Sequence, residues 1–150
     1  MYHAIVRSRL RKGMARLNRE QFEPMVQGFP AEFELFFPGL PGHKGPRFNL
    51  EGTINLYRRI FEIYPALKFE VEDLVVSGWP HNTRVCVKWK CQATRKNGLP
   101  YTNQGVHIFH LRWGKVRYLE IYCDTQSIAE VRRTPDFNRL SGQATIPDRF

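Results

Sequence analysis

YTNQGVHIFHLRWGKVRYLEIYCDTQ, residues 101–126, is the stretch whose reading decides the fold. Two runs of alternating apolar residues flank Gly114-Lys115, the pattern of an antiparallel hairpin. Taking Gly114 and Lys115 as a two-residue loop pairs Trp113 with Val116, Leu111 with Tyr118 and His107 with Tyr122, and leaves Asp124 diagonal to His107. In that register one sheet face carries an imidazole, a phenol and a carboxylate among Phe109, Leu111 and Trp113. Such a face suits a small-molecule site.

Working upstream, residues 67–77 and 83–94 read as two more strands, turned at Gly78-Trp79-Pro80 and joined to the hairpin through Asn97-Gly98. A strict two-residue Asn97-Gly98 turn would pair Lys88 with His107 and bury lysines. A three-residue Lys96-Asn97-Gly98 loop, with Gly98 left-handed, pairs Val87 with His107 instead. The second register is expected. It gathers Val85, Val87, Trp89 and Cys91 on one face with His107, Phe109, Tyr122 and Asp124.

Ahead of the strands lie helices. Val6, Leu10, Met14 and Leu17 recur at helical spacing over residues 5–17, with Arg7, Arg9, Arg11, Lys12, Arg16 and Arg19 around them. Asn18 with Gln21 resembles a capping box opening a short helix that carries Phe22, Met25 and Val26 and stops near Gly28. Residues 32–37 alternate as a strand, and the Gly- and Pro-rich stretch to Arg47, with a solvated His43, reads as a mouth loop. Asn49 caps a third helix with a stripe of Leu50, Ile54, Tyr57, Phe61 and Tyr64, closed by Pro65. A short helix from Ser127 and an irregular tail follow the hairpin. Helices first and one curled meander afterwards predict an α+β layer fold, with the helices over the concave face and a pocket between.

A length of 150 residues fits one domain over 1–150, with a core of about 2–133 and a tail at 134–150. Cys86, Cys91 and Cys123 fall inside strand runs, and their odd number argues for reduced thiols in a cytoplasm. No apolar run approaches membrane-spanning or signal-peptide length. The net charge of +9 raises the question of nucleic acid. No aromatic platform or recognised binding signature accompanies the basic helix, so it reads as a solvated face.

The order of elements, with ARLNREQFEPM, FELFFPG, FEIYP and GVHIFHLRWGKVRYLEIYCDTQ, resembles the SnoaL-like branch of the nuclear transport factor 2 superfamily over nearly all the chain to about Arg133. The resemblance implies a cone-shaped α+β fold with a deep apolar pocket and dimerisation through the outer sheet face. Val106-His107, Gly114-Lys115 and Asp124-Thr125-Gln126 are similar to the pattern of SnoaL-type polyketide cyclases. There the matching aspartate is the acid/base and the matching histidine lines the site. The ketosteroid isomerase pattern fits poorly, because its first-helix tyrosine falls at about Gly13 and its two aspartates near Phe37 and Phe109. The Arg-x-Asp pair of limonene epoxide hydrolases has no counterpart in HIFHLR.

A carboxylate among aromatic rings loses hydration, which raises its pKa toward the range useful for proton abstraction. Asp124 is therefore the expected general base, with His107, Tyr122 or Asn103 donating to the developing oxygen charge. Trp89, Phe109, Tyr57 and Phe61 are the expected ligand-binding walls. Neither metal nor cofactor is required, and the expected partners are a small hydrophobic carbonyl compound and a second copy of the chain, with no nucleic acid or membrane. Two alternatives stay open: Asp124 before Thr125-Gln126-Ser127 also reads as a helix cap, and the same cavity would serve a noncatalytic binding protein.

Overall fold

The computed structural model describes residues 1–40 and 45–132. Its elements run α1 (Tyr2–Asn18), α2 (Phe22–Gln27), β1 (Glu34–Phe36), β2 (Arg47–Phe48), α3 (Leu50–Ile63), β3 (Lys68–Trp79), β4 (Asn82–Thr94), β5 (Pro100–Arg112), β6 (Lys115–Cys123) and α4 (Thr125–Arg132). Strand order in the sheet is β2-β1-β6-β5-β4-β3. β1 runs parallel to β6, and every other neighbouring pair is antiparallel. His43 and the tail expected beyond Arg133 lie outside the described residues.

Period-two alternation sets the two faces of the sheet. Thr83, Val85, Val87, Trp89 and Cys91 of β4 are buried, whereas Arg84, Cys86, Lys88 and Lys90 are exposed. The β4–β5 register is the expected one: Val87 pairs with His107. Gly98 has φ +82° at the end of the Lys96-Asn97-Gly98 loop, and Arg95 N–H donates to the Leu99 carbonyl at 2.8 Å to close it.

The β5–β6 register differs from the sequence reading. The turn residues are Trp113 and Gly114, with φ +53° and +74°, so Arg112 pairs with Lys115 and Leu111 with Val116. Positive φ at both central positions is the I′ geometry that matches strand twist. Between Leu111 and His110 the register shifts, and Arg117 is the extra residue. Moving the turn by one position shifts the pairing by two residues and the bulge restores one, so His107 faces Ile121 and Tyr122 faces Val106. A net slip of one exchanges the faces of β6. Leu119 and Ile121 point inward, Tyr122 is 43% exposed, and Trp113 sits at the turn tip.

Helices cover the inner face. α1 buries Val6, Leu10, Met14 and Leu17 as its spacing predicts and packs on β3. The Asn49 carboxamide accepts from Gly52 N–H at 2.8 Å and caps α3, which buries Thr53, Leu56, Tyr57 and Phe61. Asn18 has a different role from the expected one. Its Nδ2 donates to the Phe69 carbonyl at 2.8 Å and its Oδ1 accepts from Phe69 N–H at 2.7 Å, which ties the end of α1 to β3. Gln21 occupies the N-cap position of α2 without a side-chain bond. β2, inside the stretch read as loop, pairs with β1 through Leu35–Phe48 and Phe36–Arg47.

Candidate ligand cavity

Three helices and the inner face of β5 and β6 enclose a cavity of about 300 Å³. Its walls are mostly apolar: Leu10 and Met14 from α1, Met25 and Val26 from α2, and Phe109 and Leu119 from the sheet. Thr53, Tyr57 and His107 bring polar atoms into this lining. The Thr53 hydroxyl donates to the Asn49 carbonyl at 2.7 Å, so its proton is committed inside α3. Burial pushes the Tyr57 phenol up, which keeps it protonated.

His107 is the distinctive group. The indole Nε1–H of Trp89 donates to His107 Nδ1. Because indole nitrogen is only a donor, Nδ1 must carry the lone pair, and the single proton of the neutral ring sits on Nε2. Burial lowers the His107 pKa from 6.5 to about 3, so the ring is neutral throughout the physiological range. Nε2 is buried and has no hydrogen-bond partner among the described residues. The Nδ1 edge of His107 faces the indole of Trp89, which lies outside the cavity lining, whereas His107 itself belongs to that lining. The Phe109 ring stacks on the imidazole with centroids 5.9 Å apart, and Phe69 meets it edge-on at 6.4 Å.

Gly105 makes this arrangement possible. It pairs with Trp89 across β4–β5, and a Cβ there would lie 2.8 Å from Trp89 Cζ2 and 2.3 Å from the Tyr122 carbonyl oxygen. Only a glycine lets the indole lie flat against the strand at that point. A glycine inside an otherwise regular strand is the sequence signal for the Trp89–His107 pair.

The remaining expected site residues scatter. Asp124 follows β6 on the solvent side and is exposed. Its Oδ1 accepts from the backbone N–H groups of Gln126 at 3.0 Å and Ser127 at 3.3 Å, and its Oδ2 from the Ser127 hydroxyl at 2.8 Å. The Ser127 bonds hold its pKa below the ordinary carboxylate value, the opposite of what a general base needs. The expectation of an inward, desolvated Asp124 is therefore corrected. The carboxylate caps α4, because the N–H groups two and three residues on are its nearest donors. Asn103 is spent on structure. Its Nδ2 donates to the Tyr101 hydroxyl and the Asp124 carbonyl, and its Oδ1 accepts from the N–H groups of Gln104 and Asp124. It borders, with Asp124, a separate open cleft beside Glu70 and Lys90. Tyr122 is on the outer face, where its hydroxyl donates to Glu120. Phe61 stacks on Phe22 at 5.5 Å in the core, and neither Phe61 nor Trp89 lines the cavity.

Among the described residues, no group of three His, Cys, Asp or Glu side chains has metal-binding geometry, and no helix is long and apolar enough to cross a membrane.

A mixed, largely antiparallel sheet with helices over its inner face and an apolar hollow between them is an architecture shared by many chemistries. Residues 10–119 match the family model described as the SnoaL-like domain. The chain belongs to the SnoaL-like family. Solved structures agree with that membership at the level of fold. PrhC from Penicillium brasilianum aligns with a TM-score of 0.76 at 14% identity, covering 91% of each chain. An NTF2-like protein of unknown function from Burkholderia pseudomallei aligns at 0.73 with 17% identity, covering 86% of this chain and 98% of that one. A putative polyketide cyclase from Acidithiobacillus ferrooxidans aligns at 0.65 with 15% identity, covering 83% and 92%. Comparison with the curated proteins gives no significant match. At such identities the SnoaL-like fold is shared, while each chain's chemistry rests on its own residues.

Proposed function

We propose that this SnoaL-like domain binds a small, largely apolar carbonyl compound, with the oxygen of the ligand accepting from His107 Nε2–H. The observation that carries the reading is a buried, unpartnered Nε2–H on His107, a residue that lines an apolar cavity. An unsatisfied buried donor costs roughly 1–3 kcal/mol, and a ligand oxygen placed against it recovers that cost. A cavity of about 300 Å³ is at the small end of ligand sites. The neutral imidazole, like any donor preorganised in an apolar pocket, polarises the carbonyl without exchanging a proton.

Among the described residues the lining contains no Asp or Glu, and Asp124 is engaged as a cap in solvent. Binding with carbonyl polarisation is accordingly favoured over proton abstraction by Asp124. The cyclase named among the structural neighbours is in keeping with a carbonyl ligand.

A matched pair of probes tests this. 9-Fluorenone and fluorene have nearly the same shape and differ in one carbonyl. Isothermal titration of the wild type should show the ketone bound roughly tenfold more tightly, a fraction of the ~1–3 kcal/mol penalty that contact relieves. In His107→Leu, confirmed folded by circular dichroism, the preference should vanish. Equal affinity for the two probes in the wild type would overturn the assignment.

A further inference from the structure

Of the six basic residues in the first nineteen positions, three reach the cavity: Arg9, Lys12 and Arg16 belong to its lining, and Arg7, Arg11 and Arg19 do not. Positions 9, 12 and 16 stand at i, i+3 and i+7, so they form one stripe on α1 beside the inward Leu10 and Met14. All three are exposed and so form a rim, while the apolar stripe forms the wall. Several acids are paired with other bases: Glu34 with Arg47, Glu32 with Arg117, Glu23 with Arg58, and Glu72 with Lys88 and Lys90. The rim cations have no ion pair among the described residues, and no carboxylate shares the cavity lining. Three adjacent uncompensated cations repel one another, and a bound anion relieves that repulsion.

We infer that the ligand is an amphipathic carbonyl compound carrying a carboxylate, with its anionic group at the Arg9–Lys12–Arg16 rim and its apolar body in the cavity. The inference rests on the reading of the cavity as a carbonyl-binding site and adds the substrate's second polar end. Both ends of the site offer donors: Nε2–H of His107 inside and three cations at the mouth. A ligand that matches them has acceptors at both ends and hydrocarbon between.

The test compares 9-fluorenone with its 2- and 4-carboxylates by isothermal titration, and the readout is the ratio of affinities within each protein. Exposed pairs contribute a factor of about two each, so the better carboxylate should bind roughly tenfold more tightly than the ketone at low salt. The ratio should fall toward one as the Debye length shortens to about 3 Å near 1 M salt. Arg9→Gln/Lys12→Gln/Arg16→Gln should abolish the ratio, and Arg7→Gln/Arg11→Gln, off the rim, should keep most of it. A wild-type ratio near one, or equal loss in both variants, would overturn the inference while leaving the carbonyl site intact. If 9-fluorenone itself fails to bind, the carbonyl reading falls, and this inference falls with it.

Discussion

Acidification should expose His107 as a group that folding forces to stay neutral. The folded pKa is about 3 against an ordinary 6.5, because burial removes the water that would solvate the imidazolium. A depressed folded pKa gives stability that is fully present above 6.5 and is lost as pH falls toward 3, since the unfolded chain takes up the proton first. Between those limits the loss approaches about 1.4 kcal/mol per pH unit, and from pH 7 to 4.5 it totals roughly 2–3 kcal/mol. The perturbation is His107→Gln, whose amide oxygen can accept from Trp89 Nε1–H and which does not titrate. Urea denaturation of both proteins at pH 7, 5.5 and 4.5 isolates the term, because every other ionisable group is common to the two. The stability of the wild type relative to the variant should fall by roughly 2–3 kcal/mol over that range. Parallel curves would refute the reasoning, and with it the claim that the ring is buried and uncharged.

Two further outcomes separate the roles assigned to other residues. Asp124→Ala should lower the melting temperature by a few degrees through loss of the α4 cap, with 9-fluorenone affinity retained within about twofold; a large loss of affinity with an unchanged melting temperature would restore Asp124 to the site. Gly13 lines the cavity, and a Cβ there would find only Met25 Sδ, at 3.7 Å. Gly13→Ala should therefore stabilise α1 by ~0.5–1 kcal/mol in urea denaturation, whereas Gly13→Leu should keep the fold by circular dichroism and block 9-fluorenone.

The helices and the β4–β5 register were legible because their signals are local. Val6, Leu10, Met14 and Leu17 mark one stripe, and Gly98 permits the left-handed residue that places Val87 opposite His107. The β5–β6 register was hidden by two features that alternation does not encode. Trp113 adopts a positive φ that is uncommon for a bulky side chain, and Arg117 bulges, so a pattern of strict pairs misplaces β6 by two residues before the bulge and by one beyond it. That single slip moved Tyr122 and Asp124 onto a face they do not occupy. Asn18 read as a cap because the capping box is a short-range pattern, whereas its partner Phe69 is brought to it by tertiary packing. His107 was found because it lies on the apolar side of a strand. The lock that sets its tautomer depends on Trp89 and on the space at Gly105.

The proposed carbonyl site depends on a neutral His107 whose Nε2–H meets the ligand. A long-range proton–nitrogen correlation spectrum of histidine-labelled protein reads tautomer and charge directly, with His107→Gln assigning the signal. The account predicts a neutral Nε2–H ring, unchanged from pH 7 to 5, whose Nε2 resonance moves when 9-fluorenone is added. An imidazolium or an Nδ1–H tautomer at pH 5, or an Nε2 resonance indifferent to the bound ketone, would contradict it.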